Sequence, residues 1–421
     1  MTLPDWGALR GVGLLLVLAL TACAAEKEPA ARPGRGTLLN TPAPPQVLRR
    51  IEFDAHMRAR GLLPLYGTAR CDVRYTRIEY RTVDARREAG TASAALMVPS
   101  GRDHACRGAH PAVLQARDEA ARRDGDLADV HDTLVGFEAA AAFAAHGYVV
   151  VVPNYPGGAD PTSQYPPYLH ARAQADDVID GLAAAHAALT RDSVFGPVAL
   201  SGALFLYGYG QGGYVALAAQ RALESGAVVP WRLAGAMPAA GPYALPEYVR
   251  DLMARPGPAN ALLARLAAGY AAVYHDEGFQ PQHMLASRDP IAQGTPDASA
   301  EGAWSAPGRG ADALHRVLEH NRLLTWSPRA PLALCGARQD RVVDWRNTER
   351  AVAYFAGRGV PVTAYDLEDA ASLPDDAWGR VLYRQSVARR TEAGGPDGYH
   401  AALAPLCAAL ARYYFDRLLR A

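Results

Sequence analysis

The 421-residue sequence has almost no lysine and no net charge. Its 43 basic and 43 acidic side chains balance, and Lys27 is the one lysine, so the other basic residues are arginine. A Schiff-base lysine, a Walker lysine and a serine–lysine dyad are therefore excluded from the body of the chain. The balanced charge argues against a nucleic-acid-binding protein, which needs a basic surface, and against a highly charged disordered chain.

Metal-binding patterns are also missing from the sequence. The twelve histidines show no H-x-x-x-H or H-E-x-x-H spacing, and the five cysteines show no spacing typical of a metal site. We therefore expect neither a metal site nor a cofactor.

An apolar run near the N-terminus is too short to cross a membrane. Residues 11–20 (GVGLLLVLAL) follow Arg10, whereas a spanning helix needs about 20 apolar residues. A run of this length suits the core of a signal peptide. The next residues, Leu20-Thr21-Ala22-Cys23, resemble a bacterial lipoprotein signal, which implies cleavage before Cys23 and acylation of that cysteine. An ordinary secretory signal with an incidental cysteine is the alternative.

The lipoprotein interpretation predicts a signal peptide over 1–22 and a lipid anchor at Cys23 in the bacterial cell envelope, at the outer membrane or cell surface. The stretch from Ala24 to about Pro45 is rich in Ala, Pro, Glu and Arg and has no periodicity. Such a composition is typical of a flexible linker. We therefore predict a disordered tether over 23–48 and a folded domain over 49–421.

Export changes how the remaining four cysteines are interpreted, because an oxidising compartment permits disulfides. Cys71 and Cys106 flank the first two predicted strands, and we favour that pair. Cys335 ends a predicted strand and Cys407 lies on the last predicted helix. These two either pair with each other or remain buried thiols.

Strands and helices alternate along the body of the chain. Residues 75–83 and 92–98 alternate in polarity as the strands of a hairpin do. Further strands are predicted after Pro111 and over 148–153, 203–207, 233–238, 331–335 and 361–366, with helices over 134–146, 171–190, 213–224 and 401–419. Continuous apolar strands between helices predict a mostly parallel sheet covered on both faces, which the opening antiparallel hairpin makes mixed.

One interval breaks the alternation. Residues from about 242 to 325 are rich in proline and helix-forming residues and contain no strong strand pattern. More than eighty residues are too many for a plain connection between neighbouring strands. We therefore predict a helical cap inserted over the sheet.

The sharpest motif is Gly208-Tyr209-Gly210-Gln211-Gly212-Gly213, between a predicted strand and a predicted helix. Gly208, Gly210 and Gly213 satisfy the dinucleotide-binding pattern G-x-G-x-x-G. That pattern also needs an acidic residue about 20 positions later at the end of the next strand, and no acid occurs there before Glu247. Dinucleotide binding is therefore the weaker interpretation.

The stronger interpretation is a nucleophile elbow, G-x-S-x-G, with Gly208 and Gly212 as the flanking glycines and serine expected at 210. Asp340 and His400 follow in the chain order nucleophile, acid, histidine. From about Arg70 to its end the chain resembles bacterial secreted α/β-hydrolases of the lipase and esterase type, which carry G-Y-S-Q-G-G at this turn. The resemblance implies an α/β-hydrolase fold in which Asp340 and His400 form the acid–histidine pair and the Gln211 amide serves the oxyanion site.

The sequence departs from this family at two positions that matter for catalysis. Gly210 has no side chain and so no oxygen to attack a carbonyl, although glycine adopts the strained conformation of the turn freely. Where relatives carry a His-Gly pair, this chain has Arg117-Asp118, and a carboxylate there would oppose negative charge developing on an oxyanion. Ser201 and Ser163 are poorly placed to replace the missing serine.

These departures predict a membrane-anchored α/β-hydrolase-fold protein that has lost serine-esterase chemistry and binds a small apolar or ester-like ligand, or a protein partner. One alternative is an ester hydrolase in which His400 and Asp340 activate a water, since proteases stripped of triad members retain about 10³–10⁴-fold catalysis over water. Another alternative is that the chain is a variant of an active esterase whose parental residue at 210 is serine. The second departure from the family, Arg117-Asp118, argues against this alternative.

Overall fold

The structure, a computed structural model, describes residues 34–118, 134–155, 168–191, 194–254, 259–281, 284 and 309–421. Cys23, the predicted signal peptide, Ser163 and parts of the predicted cap lie outside the described residues. Among the described residues, no helix combines the length and apolar character needed to cross a bilayer.

The described residues build one mixed nine-stranded sheet. The strands are β1 (Gln46–Leu48), β2 (Asp72–Val83), β3 (Ala89–Ser100), β4 (His110–Ala116), β5 (Val149–Pro153), β6 (Leu200–Tyr209), β7 (Arg232–Ala239), β8 (Ala333–Gly336) and β9 (Thr363–Asp366). They lie in the order β1-β2-β3-β5-β4-β6-β7-β8-β9. The pairs β1–β2, β2–β3 and β3–β5 are antiparallel, and the pairs from β5 to β9 are parallel. The predicted fold class is confirmed.

Eleven α-helices are present in the same described residues. They are α1 (Arg50–Ala59), α2 (Leu63–Tyr66), α3 (Leu134–Ala142), α4 (Ala171–Thr190), α5 (Gln211–Glu224), α6 (Leu245–Met253), α7 (Ala259–Tyr274), α8 (Arg309–His320), α9 (Arg346–Ala356), α10 (Ala377–Glu392) and α11 (Pro396–Arg420). Helices α4 and α5 pack together against one face of the sheet, and α3 and α11 pack against the other.

Burial on both faces explains why the central strands are apolar along their whole length. Val149–Val152 of β5 are fully buried on both sides of the strand, as expected for a strand with helices above and below it. On the α11 side, the rings of Phe205 in β6 and Phe415 stack with centroids 4.5 Å apart. The buried core therefore fixes β6, the strand that leads into the glycine motif.

The start of the domain differs from the predicted boundary. Residues 34–48, placed within a disordered tether by their composition, lie along the sheet: Leu38 bridges to Tyr80, and β1 pairs with β2. Arg35 also ion-pairs with Asp180 and Asp176 of α4, both at 2.9 Å. Composition alone misses this segment because its order comes from the backbone edge of β2 and from carboxylates more than 140 residues away.

Between β7 and β8 the described residues form α6, α7 and α8 and contain no named strand. A buried polar network joins this region to the helices that pack on the sheet. The Asn321 side chain accepts from the Ala171 amide at 3.0 Å and donates to the Tyr274 hydroxyl at 2.7 Å. The Tyr214 hydroxyl of α5 donates to the Asn321 carbonyl at 2.6 Å. One asparagine thereby joins α7, α4 and α5.

Two disulfides cross-link the described residues. Cys71 and Cys106, the pair favoured from sequence, are bonded, and Cys335 is bonded to Cys407. The second bond joins β8 to α11, which are 72 residues apart in sequence at the bonded positions. It therefore fastens the strand that precedes Asp340 to the helix that carries His400.

We predict that Cys335→Ala/Cys407→Ala lowers the free energy of unfolding by about 2–4 kcal/mol, because the bond closes a long loop and restricts the unfolded chain. Cys71→Ala/Cys106→Ala is the matched control. Its loop spans 35 residues, so the chain-entropy argument gives it a smaller loss. Denaturant unfolding under non-reducing conditions measures both. Equal stability of the first variant and the parent would contradict the prediction.

Candidate active site

A sharp turn joins β6 to α5 at Gly210. The residue has φ +58° and ψ −121°, a conformation that costs a non-glycine residue about 1–3 kcal/mol. Its amide donates to the Ala239 carbonyl at the end of β7, at 3.0 Å. The turn thus lies at the carboxyl edge of the parallel strands, where ligand sites of open α/β sheets form.

The other glycines of the motif allow α5 to approach the strands closely. A Cβ on Gly212 would lie 2.0 Å from the Ala116 carbonyl oxygen of β4, and one on Gly213 would lie 2.2 Å from that of Ala239 in β7. A Cβ on Gly208 would lie 2.1 Å from the Gly212 oxygen. Backbone packing at the elbow therefore accounts for the glycines that also fit a dinucleotide pattern, and this weighs against dinucleotide binding.

Asp340 and His400 are brought together as the chain order predicted. Asp340 follows β8, and its fully buried carboxylate accepts from the Val342 and Val343 amides through Oδ1, at 2.9 and 3.1 Å. Its other oxygen, Oδ2, is 2.6 Å from Nδ1 of His400. The two amides fix the carboxylate, and the carboxylate orients the imidazole.

His400 lies near the amino end of α11 with its side chain 12% exposed. Burial lowers its pKa, but the carboxylates of Asp340, Asp118 and Asp397 outweigh burial and raise the pKa above its ordinary value of 6.5. Tyr209 supports the residue, since its hydroxyl donates to the His400 carbonyl at 2.8 Å. With Nδ1 directed at Asp340, Nε2 would lie 3.2 Å from a Cβ on residue 210.

The Asp118 carboxylate fills the space beside Gly210. Its Oδ2 accepts from the Gln211 amide at 3.1 Å, and a Cβ on Gly210 would lie 2.1 Å from the same oxygen. The amide that we predicted to serve an oxyanion is therefore bonded to a carboxylate of the chain itself.

Arg117 extends away from its neighbour Asp118. Its guanidinium donates to the Asn154 carbonyl at 2.5 Å and lies over the ring of Tyr155, 5.2 Å from the centroid. The Tyr155 hydroxyl donates in turn to the Arg117 carbonyl at 3.0 Å. These contacts hold the backbone that leads into Asp118. The sequence motif alone does not reveal them.

A cavity of about 1080 Å³ opens at the elbow. Gly210, Gln211, Asp118 and His400 form part of its wall. Part of the remaining wall is apolar and comes from helices α3, α6 and α7 and from the segment that precedes α4, namely Val135, Tyr168, Tyr248, Leu252, Ala261 and Leu262. Charged side chains also line the cavity, among them Glu138, Arg341 and Arg346. Its size is typical of a small-molecule site.

Sequence analysis missed this wall because it supplied no register for the cap helices. The glycine motif includes Tyr209, but the motif does not predict that the Tyr209 hydroxyl bonds to His400. Within the described part of the chain, no group of three or more His, Cys, Asp or Glu side chains is arranged to hold a metal ion.

Several solved structures share this architecture. The rice cell wall degrading esterase LipA from Xanthomonas oryzae is 27% identical with a TM-score of 0.61, and the match covers 85% of this chain and 98% of that one. A structure from Legionella pneumophila assigned as a hydrolase is 19% identical with a TM-score of 0.65, covering 90% and 99%. Lipase A from Candida antarctica is 13% identical with a TM-score of 0.52, covering 86% and 83%.

The chain has the α/β-hydrolase fold of lipases and esterases. No protein-family model matches the sequence, and no curated protein matches it either.

We predict that the His400 imidazole titrates above pH 6.5 and that Asp340→Asn lowers its pKa, because the partner charge is removed. A raised pKa means that the folded state binds the proton more tightly than the unfolded state. His400 therefore stabilises the fold below about pH 6.5, and this contribution is lost as the pH rises through the folded pKa. NMR of ¹³C-labelled histidine measures the titration, with His400→Gln for assignment. An identical titration in Asp340→Asn would contradict the prediction.

Proposed function

We propose that this protein is a hydrolase-fold protein without serine-esterase chemistry, which binds a small apolar or ester-like ligand in the cavity at the elbow. The observation that carries the proposal is the pairing of Gly210 with Asp118. The elbow position has no side chain, and a carboxylate occupies the place that a side chain there would need.

Ser201 gives no support to a displaced nucleophile. Ser201 is exposed at the amino end of β6, opposite the end that leads to Gly210. The pocket itself is favourable for binding because the apolar part of its wall buries the body of a ligand while polar groups at the elbow orient it.

A second candidate is hydrolysis by an activated water. The 2.6 Å contact between Asp340 and His400 favours it, because the imidazole is oriented as a general base with Nε2 directed toward the elbow. A water near Nε2 would then attack an ester without a covalent intermediate.

The third possibility, serine as the parental residue at 210, is weakened by the contact of Asp118. A side chain at 210 would require the Asp118 carboxylate to leave the Gln211 amide, since the Cβ alone would lie 2.1 Å from Oδ2. Glycine at 210 and aspartate at 118 fit each other.

We predict that the parent chain neither reacts with a fluorophosphonate probe nor hydrolyses short aryl esters above the level of its His400→Ala variant. Gly210→Ser alone should stay poorly reactive, because Asp118 competes for the space of the new side chain. Gly210→Ser/Asp118→Ala should react at least about 10-fold faster, since a positioned histidine base contributes about 10²–10⁴-fold.

The control is His400→Ala added to the double variant, which should abolish the new reaction. Ester hydrolysis by the parent that disappears in His400→Ala would favour the water mechanism instead. Fluorophosphonate labelling of the parent would contradict the proposal outright, because it requires a reactive nucleophile of the serine type.

We further propose that acylation of Cys23 anchors the protein to a bacterial membrane. The sequence Leu20-Thr21-Ala22-Cys23 after an apolar run supports this, and the two disulfides are of the kind found in oxidising compartments. We propose a small ligand as the binding partner and do not propose nucleic-acid binding.

The anchor proposal predicts that Cys23→Ser moves the full-length protein from the membrane fraction to the soluble fraction of expressing bacteria. Mass spectrometry of the parent should show lipid on Cys23. A membrane-bound Cys23→Ser variant would contradict the proposed anchor without affecting the proposal about the cavity.

A further inference from the structure

The Asp118 carboxylate also affects which ligand the cavity can bind. Its carboxylate forms part of the cavity wall, beside Gly210 and His400. We infer that Asp118 sets the head group that the cavity accepts and that this head group is an alcohol, in preference to an ester carbonyl or a carboxylate. The inference rests on the proposed binding function and narrows its ligand class: among small apolar ligands it favours alcohols over the ester-like ones.

The first step concerns the Gln211 amide. This amide begins α5, a helix of 14 residues, and it already donates to Asp118 Oδ2 at 3.1 Å. A carbonyl or carboxylate oxygen is only an acceptor, so it would have to displace the carboxylate to reach the amide. If it did not, two acceptor oxygens would face each other without a proton between them, which is unfavourable in a partly buried site.

The second step concerns the other polar group at the same point. His400 Nδ1 faces Asp340 at 2.6 Å, so Nε2 is the ring nitrogen that lies toward the elbow. The 2.6 Å contact with a carboxylate places the ring proton on Nδ1, so the neutral imidazole presents Nε2 as an acceptor. A ligand group between Asp118 and His400 therefore meets an acceptor on each side.

A hydroxyl is the simple group that supplies the proton needed between these two acceptors. It donates that proton to the Asp118 carboxylate or to Nε2 of His400, whereas an ester oxygen can only accept. The body of such an alcohol would lie against the apolar wall that includes Val135, Leu252 and Leu262. An alcohol with a linear or aromatic apolar body is the ligand class that follows.

Four arginines form part of the cavity wall, namely Arg265, Arg338, Arg341 and Arg346, and two of them are seen to have partners within the protein. Arg338 is held by the buried Asp366, with 2.5 Å between Nε and Oδ2, and Arg265 lies over the ring of Tyr168, 5.5 Å from the centroid. The charged groups that act on the pKa of His400 are the carboxylates of Asp118, Asp340 and Asp397. They repel an anionic head group placed at the elbow.

The test compares three probes with the same apolar body, namely 1-octanol, octyl acetate and octanoate, by isothermal titration calorimetry below their aggregation concentrations. The full-length protein is compared with Asp118→Ala and with Asp118→Asn, which keeps the side-chain volume and removes the charge. Glu392→Ala, an exposed acid at the end of α10, is the matched control for loss of one negative charge.

We expect the parent and Glu392→Ala to bind octanol at least about 10-fold more tightly than octanoate, the difference that one strong hydrogen bond makes to a dissociation constant. Asp118→Ala should lower this ratio at least about 10-fold, because the Gln211 amide becomes available to an anionic or carbonyl oxygen. Asp118→Asn should also lower the octanol-to-octanoate ratio. Because this variant keeps the side-chain volume, it separates the effect of charge from the effect of a larger cavity.

An octanol-to-octanoate ratio that stays the same in both Asp118 variants would overturn the inference while leaving the binding function intact. Tighter binding of octanoate than of octanol by the parent would overturn it too. Failure of all three probes to bind the parent and both Asp118 variants would overturn the proposed binding function and this inference with it.

Discussion

The close approach of α5 to the ends of three strands is the constraint on which the site depends. Backbone atoms of Gly212 and Gly213 lie against the Ala116 and Ala239 carbonyls, where a single Cβ would come within 2.0–2.2 Å. Because these contacts are between backbones, they tolerate almost no change of residue or register. The turn at Gly210 and the direction of the Gln211 amide follow from this packing, and they persist whatever chemistry the neighbouring side chains provide.

That rigidity explains why the residue types at 210 and 118 depend on each other. The backbone of the turn does not move to make room, so a carboxylate that bonds to the Gln211 amide requires a residue without Cβ at 210. The first amide of α5 needs an acceptor whatever residue stands at 210, and Asp118 supplies one. The absence of a nucleophile and the presence of an acid beside it are two parts of one arrangement, while the Asp340–His400 pair remains assembled at 2.6 Å.

Sequence reasoning succeeded where a local pattern carried the information. The helix predicted over 171–190 is observed over Ala171–Thr190, and the apolar strands fall close to their predicted positions because burial on both faces leaves a continuous signal. It failed for β1 and for Arg35, whose order depends on distant partners. It anticipated a carboxylate near the oxyanion site but gave no means to place Asp118 Oδ2 on a particular amide, since that contact joins residues 93 positions apart.

The start of the described chain shows where the proposed anchor would join the fold. Leu38 bridges to β2, which is four strand spacings from β6 in the sheet order, or about 19 Å at 4.8 Å per spacing. The anchor proposed at Cys23 would therefore join the described part of the chain near the antiparallel edge of the sheet and not at the elbow. Because the proposed attachment and the cavity lie at different places on the sheet, such an anchor would leave the mouth of the cavity open to a ligand.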